Sequence, residues 1–180
     1  MKKKFMIILM LIVVIVMGIT LAVYTYATYD ETIDAESNCF SIVYTKGQDI
    51  GSNENLKKLN IGSTYTDGLS TTVKIKTDSS CNITKGIGVL YLITSEETSD
   101  YLIDNNLLNY YVMVGSKNVS SGVVTNKGES IIYENFDITT TEKSITVYIW
   151  ISGENITEDN LSEVIKTTYK GSISISAESR

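Results

Sequence analysis

The chain has 180 residues and a net charge of −6, with 15 basic and 21 acidic side chains, two cysteines, no histidine and no proline. The lack of histidine excludes Ser-His-Asp and Cys-His catalysis, imidazole zinc sites and the H-E-x-x-H protease motif. We therefore predict no catalytic, cofactor-binding or metal site and no enzymatic activity, and the acidic balance disfavours nucleic-acid binding.

The N-terminal segment 1–27 has the pattern of an export signal. Lys2, Lys3 and Lys4 precede an uncharged apolar run over 5–23. As a hydrophobic helix at about 1.5 Å per residue, this run spans roughly 28 Å, close to the thickness of a bilayer core. Thr25-Tyr26-Ala27 provides a small-x-small cleavage site. The segment is thus either a signal peptide cleaved after Ala27 or a retained membrane anchor, and both place the rest of the chain outside the cytoplasm.

The exported part is strongly acidic. Segment 1–27 holds three of the 15 basic residues and none of the 21 acidic ones, which leaves 12 cations against 21 anions and a charge of −9. Such a body repels nucleic acid and anionic lipid and stays soluble.

The two cysteines, Cys39 and Cys81, both lie in the exported part. Outside the cell an isolated pair is most simply a disulfide, which here closes a loop of about 40 residues. Two buried free thiols are the alternative.

Segment 28–38 is polar, with Tyr29 and Ile33 as its large apolar residues. It reads as a polar linker or as an unpaired strand. A free strand of this kind pairs with the open sheet edge of a neighbouring copy, and a head-to-tail contact that does not close builds filaments.

Residues 39–180 show the pattern of a single β domain. Alternation of apolar and polar residues, together with turn residues between the runs, predicts about eight strands. They cover 39–44, 71–77, 86–94, 107–114, 119–125, 130–138, 144–152 and 169–177, with a long loop over 46–69. Too few helices are available for parallel crossovers, so we predict an antiparallel β-sandwich of jelly-roll or Ig-like type.

Two short helices are predicted in the connections. Ser95 is the expected N-cap of the first, with two glutamates in its first turn. Thr157 is the expected cap of the second, which carries Leu161, Val164 and Ile165 inward.

Stretch 86–94 is apolar enough for a central strand buried on both faces.

Three features invite a binding function. Trp150, the single tryptophan, suits a sugar-stacking platform, but its place in the middle of the most β-prone strand favours core packing. Asp104-Asn105-Asn106 and Glu158-Asp159-Asn160 are candidate calcium ligands, yet they lack alternating D-x-D-x-D spacing, and turn or cap roles are favoured.

Four stretches of the chain carry a family resemblance: the leader ending Tyr24-Thr25-Tyr26-Ala27 and the stretches 107–112, 145–151 and 169–177. In these stretches the chain resembles the TasA/camelysin-type surface proteins of Gram-positive bacteria. The resemblance implies a jelly-roll-like sandwich, cleavage near Ala27 and, for some members, matrix fibres built by N-terminal strand donation. Camelysin-type members are described as metalloproteases, an activity that a chain without histidine does not inherit.

Together these patterns favour an exported cell-surface or extracellular-matrix subunit of a Gram-positive-type bacterium. Its partners would be further copies of itself in a homo-oligomer or fibre, and the membrane if segment 1–27 is retained. The alternative is a membrane-anchored adhesin or carbohydrate-binding module that uses loops 46–69 and 115–128.

Overall fold

The computed structural model describes residues 39–44, 49–50, 59 and 61–180. These residues form two sheets of mainly antiparallel strands, with two short helices in the connections. The predicted all-β class is confirmed at this level. The predictions for segment 1–27, including the hydrophobic helix and cleavage at Thr25 to Ala27, and for segment 28–38 lie outside the described residues.

The described part of the chain contains ten strands. In chain order they are β1 (Phe40–Tyr44), β2 (Asp49–Ile50), β3 (Ile61–Gly62), β4 (Leu69–Thr77), β5 (Lys85–Thr94), β6 (Leu108–Val114), β7 (Lys117–Val123), β8 (Gly128–Thr139), β9 (Lys143–Ser152) and β10 (Gly171–Ser179). The two strands beyond the predicted eight, β2 and β3, have two residues each and lie within the predicted loop 46–69. Such short pairings leave no alternation to detect in a sequence.

The strands divide between two sheets. The first sheet has the order β1-β4-β9-β6-β7, and β3 lies parallel to the end of β9. The second sheet has the order β2-β10-β5-β8. All other pairings are antiparallel. The chain passes from the first sheet to the second four times, between β1 and β2, β4 and β5, β7 and β8, and β9 and β10.

The core lies between the facing sides of the two sheets. In β9 the inward residues are fully or almost fully buried, and they are Ile145, Val147, Ile149 and Ile151. Burying each such side chain contributes about 1.5–3 kcal/mol. The prediction that β5 is buried on both faces is wrong, because only every second residue is buried and the outward ones, Ile87, Val89, Tyr91 and Ile93, are half-buried.

Aromatic rings fill the space above glycines in the strands. Gly88 pairs with Phe136 across β5 and β8, and a Cβ on Gly88 would lie 2.3 Å from the Phe136 ring. A Cβ on Gly86 would likewise lie 2.5 Å from the ring of Phe40 in the first sheet. A glycine inside a strand marks such a close approach. These two glycines therefore let rings from β8 and β1 enter the core over β5.

The two predicted helices are present, and both lie in connections between sheet strands. Helix α1 (Asp100–Asp104) follows β5, and helix α2 (Glu158–Val164) precedes β10. The Thr157 cap of α2 is confirmed, with the Thr157 amide donating to Asn160 Oδ1 at 2.8 Å. Within the described ranges, no helix is long and apolar enough to cross a membrane.

Two details of the helix predictions are wrong. Ser99 rather than Ser95 precedes α1, because Ser95 heads a separate turn in which its hydroxyl accepts from the Glu97 amide at 3.2 Å. In α2 only Val164 is buried, whereas Leu161 and Ile165 are 42% and 61% exposed. The short helix thus docks through one side chain, since seven residues present little more than one inward position.

Gly88→Ala is expected to lower the free energy of unfolding by about 1–3 kcal/mol, because the added methyl overlaps the Phe136 ring. Urea denaturation of the purified protein measures the change. Gly153→Ala is the matched control, because its Cβ would meet Ile61 at an ordinary 3.5 Å, and it should shift stability by no more than about 0.5 kcal/mol. Equal effects of the two substitutions would contradict the ring-over-glycine packing.

Candidate functional site

The outward side of the first sheet carries a group of aromatic residues. Alternation in β9 turns Tyr148 and Trp150 away from the core, and both are half-buried. In β6, Tyr111 stands directly opposite Tyr148, and Asn109 stands opposite Trp150. Residues directly opposite in an antiparallel pair lie close enough for their side chains to touch. The pairing of β6 with β9 therefore gathers three aromatic rings on one sheet surface.

A fourth ring, Tyr65, reaches this surface from the turn before β4. In the 3₁₀ turn Tyr65–Asp67, the Asp67 carboxylate accepts from both the amide and the hydroxyl of Thr64, each at 3.2 Å. Gly68 then passes so near β9 that a Cβ there would lie 2.2 Å from the Ile149 carbonyl oxygen. The turn and the glycine together hold Tyr65 against the sheet.

Tyr65 packs directly on the rings of the sheet. Its ring is parallel to that of Tyr111, with centroids 4.2 Å apart and an interplanar angle of 1°. It also meets Tyr148 edge-on, at 5.0 Å and 70°. Both arrangements are favourable for aromatic pairs. We call the surface formed by Tyr65, Tyr111, Tyr148 and Trp150 the aromatic face.

Small polar side chains border the aromatic face. Ser70 pairs with Tyr148 on the β4 side, and Ser121 pairs with Tyr111 on the β7 side. Thr72 and Thr146, which are also opposite each other, share a hydrogen bond between their hydroxyl groups at 2.9 Å. The border thus offers hydroxyl groups, which both donate and accept hydrogen bonds.

Charge is distributed unequally between the two sheets. The six strands of the first sheet contain four lysines and no acidic residue, although the whole chain has an excess of acids. The strands β5, β8 and β10 of the second sheet contain four carboxylates, Glu129, Glu134, Asp137 and Glu178. On the first sheet Lys74 forms an ion pair with Glu142 at 3.0 Å. The aromatic face is therefore an uncharged area on an acidic protein.

The predicted cysteine pair connects β1 to the end of β4. The sulfur atoms of Cys39 and Cys81 lie 2.02 Å apart, at bonding distance for a disulfide. Cys39 directly precedes β1, and its carbonyl oxygen accepts a hydrogen bond from the Asp78 amide at 2.7 Å. The link therefore fixes the beginning of the sheet domain at the point where segment 28–38 joins it.

The candidate calcium ligands serve as caps and turn residues. The Asn105 side chain donates to the Tyr101 carbonyl at 2.9 Å, and Asn106 has a left-handed φ of 54° at the end of α1. Asn160 caps α2 through its contacts with Thr157 and with the Asn155 carbonyl. Among the described residues, no group of three or more potential metal ligands lies together.

Three ionisable groups in the described domain have clearly shifted pKa values. Burial raises the pKa of Tyr169 above its ordinary value of 10.0, and the Thr94 hydroxyl opposes part of that rise. Burial also raises the pKa of Tyr133, with a smaller effect from Asp137. The pKa of Asp78 is lowered, mainly because its carboxylate accepts from the Ser80 hydroxyl and amide. None of these shifts brings a group to titrate near neutral pH, where a general acid or base works best.

Sequence patterns located this site only in part. The alternation of β9 correctly puts Thr146, Tyr148 and Trp150 on one side, but the interpretation of Trp150 as a core residue is wrong. The roles of Tyr65 and Tyr111 were not predicted, because their stacking joins positions 46 residues apart. The Thr64-x-x-Asp67-Gly68 turn was the available signal for Tyr65.

The two loops suggested for ligand binding have different structures. Loop 46–69 is described only at 49–50, 59 and 61–69, and its last part provides Tyr65. Loop 115–128 is mostly strand β7, which forms an edge of the first sheet and contributes Ser121 to the border of the aromatic face.

Comparisons with known proteins give no family assignment. The chain matches no protein-family model, and no curated protein matches it in sequence. The resemblance to TasA/camelysin-type proteins accordingly stays a prediction, and any function has to be argued from the chain itself.

Replacing both Cys39 and Cys81 by serine is expected to lower the free energy of unfolding by about 3–4 kcal/mol, because the link removes loop entropy from the unfolded chain. Urea denaturation with and without a reductant measures this difference. Reduction should also add two hydrogens to the intact mass of the purified protein. An unchanged mass after reduction under denaturing conditions would contradict the pairing.

Stability is expected to decrease as the pH rises above 10, the ordinary pKa of tyrosine. The core excludes the ionised form of Tyr169, so the folded state keeps its proton where the unfolded state releases it. The stability that Tyr169 contributes is complete below the pKa of tyrosine in the unfolded chain. It is lost progressively as the pH rises from that value towards the raised pKa of the folded state. Tyr169→Phe should flatten the decrease measured by thermal unfolding between neutral and alkaline pH. If the variant and the unaltered protein lose stability in parallel, Tyr169 is not the cause.

Proposed function

We propose that this protein is an exported, non-enzymatic subunit of a bacterial cell surface or extracellular matrix, which assembles by donating segment 28–38 to a sheet edge of the next copy. The observation that carries the proposal is that, among the described residues, β2 pairs with two residues of β10 and the rest of that edge has no described strand partner. The lysine-led leader supports export, and the acidic body supports solubility outside the cell.

The strand order supports an Ig-like rather than a jelly-roll sandwich. In Ig-like domains one sheet has the order A-B-E-D, and the other contains F beside C. Here β1-β4-β9-β6 corresponds to A-B-E-D, and β10-β5 corresponds to F-C. Strands β7 and β8 are then additions. In this arrangement the strand position beyond β10, the G position, is where a further strand belongs.

That position is almost empty in the described part of the chain. Strand β2 pairs with β10 only at Gly171 and Ser172, whereas β5 pairs with β10 along its whole length. Over 173–179, β10 thus has a described strand partner on one side only. Its inward residues Ile173 and Ile175 belong to the core, so a strand added here would extend a sheet that is already packed.

The other edge of the second sheet is poorly suited to accept a strand. Strand β8 has two register shifts against β5, and Asn135 within it has a positive φ of 54°. It also carries Glu129, Glu134 and Asp137. Irregular pairing and charge are the usual protection of an edge strand. This contrast favours β10 as the receiving edge.

Segment 28–38 has the length and pattern of a donor. Its eleven residues extend to about 36–40 Å, whereas the open part of β10 covers about 23 Å. Tyr29 and Ile33 are four positions apart and therefore face the same side of a strand. The remaining residues suffice to connect the donated strand to Cys39.

In the proposed subunit, the disulfide between Cys39 and Cys81 has a mechanical role. A pull on segment 28–38 reaches β1 at its first residue, where β1 is hydrogen-bonded to β4 from Phe40 and Thr77 onward. Without a link, these pairs would open one after another from that end. The bond to Cys81 transfers the load to the connection between β4 and β5 instead.

Electron microscopy of the exported protein tests assembly. The unaltered protein should form filaments, and replacing 28–38 by a Gly/Ser sequence of equal length should leave monomers, since the leader and the linker length are kept. Only monomers at high concentration for the unaltered protein would contradict the proposal.

Matched charge substitutions test which edge receives the strand. Segment 28–38 contains four acidic residues, so Ser176→Glu on β10 should weaken filament formation and Ser176→Lys should not. Ser121→Glu, an equally exposed serine on the β7 edge, is the control. If Ser121→Glu alone prevents assembly, the receiving edge is β7 and the assignment to β10 is wrong.

A further inference from the structure

We propose that the aromatic face binds an uncharged polysaccharide. The inference concerns a surface separate from the β10 edge, and it does not depend on filament assembly. It rests on three properties of the described residues: ring packing, a hydroxyl-rich border and the absence of a charged side chain among the four rings and the serines and threonines that border them.

The four rings of the aromatic face are not among the buried residues of the core. Tyr65 is stacked parallel to Tyr111 and meets Tyr148 edge-on. Trp150 follows Tyr148 on the same side of β9, about 7 Å further along the strand. The carbon-bound hydrogens of a pyranose ring stack on aromatic rings, and this spacing suits successive sugars of an extended chain.

The border supplies the polar groups that sugars need. The hydroxyl groups of Ser70, Ser121 and the pair Thr72 and Thr146 surround the rings. Sugar hydroxyls both donate and accept hydrogen bonds, as do these side chains. A few placed polar groups around an apolar surface are the usual composition of a ligand site.

The charges around the aromatic face indicate whether its ligand is cationic, anionic or uncharged. The strands under the aromatic face contain no carboxylate, and the Asp67 carboxylate of the adjoining turn is engaged by the amide and hydroxyl of Thr64. Lys74 further along β4 is neutralised by Glu142, and the charge of the exported body repels polyanions. An uncharged ligand is therefore the complementary one.

The lone tryptophan makes the site directly observable. Because Trp150 is the only tryptophan of the chain, its fluorescence reports on the aromatic face alone. Exported protein is titrated with cellohexaose, with chitohexaose and with the anionic hexagalacturonate, and isothermal titration calorimetry is run in parallel. A neutral hexasaccharide should shift the Trp150 emission saturably, and hexagalacturonate should bind more weakly.

Three tyrosine variants locate the binding. Tyr65→Ala should weaken binding at least tenfold, and circular dichroism should show an unchanged fold, because Tyr65 lies outside the core. Tyr65→Phe keeps the ring and should bind within twofold of the unaltered protein. Tyr91→Ala, a half-buried tyrosine on the outward side of the second sheet, is the control and should also stay within twofold.

Each remaining outcome overturns the proposal. Absence of an emission shift and of heat with both neutral hexasaccharides at millimolar concentration excludes the site for the ligand class tested. Stronger binding of hexagalacturonate excludes an uncharged ligand. A concentration-dependent emission shift without sugar, lost together with self-association in Tyr65→Ala, assigns the face to a second copy of the chain.

Discussion

Burial of the facing sides of two sheets is the constraint on which the rest of this structure depends. Each long strand contributes every second side chain to the core, as the completely buried Ile145, Val147 and Ile149 of β9 illustrate. Alternation then determines what the opposite sides carry. The outward side of the first sheet carries aromatic rings and lysines, and its strands contain no acidic residue, while carboxylates are concentrated in the second sheet and in the connections.

The same constraint explains why sheet edges matter here. A sandwich closes its core through side chains, but the backbone groups of an outermost strand still need partners. The irregular register and the charges of strand β8 disfavour the addition of a further strand at its outer edge. The pairing of β10 with β5 beyond Ser172 has no register shift. The disulfide between Cys39 and Cys81 lies at the residue where segment 28–38 joins the sheet domain. Domain, junction and tail therefore agree with the proposal of a subunit that would pass load to its neighbours.

Much of the fold was predictable because, in the long strands, the two-residue alternation of apolar side chains in the sequence matches the alternate burial in the structure. Stretch 144–152 was recognised almost to the residue, since β9 alternates strictly. The misses occurred where local pattern carries little information. Ser95 looked like a helix cap, but the turn it heads is fixed by Thr98, whose hydroxyl donates to the carbonyl of Lys170 far along the chain. The stacking of Tyr65 on Tyr111 likewise depends on tertiary contacts that no periodicity shows.

Amide hydrogen exchange of β10, resolved by NMR for the dispersed exported protein and compared with its assembled form, tests the central claim most directly. We expect alternate amides over 173–179, those facing away from β5, to exchange rapidly in the dispersed protein and to become protected on assembly, while the amides of β9 stay protected in both. Protection of all β10 amides before assembly, or unchanged exchange after it, would contradict an open receiving edge.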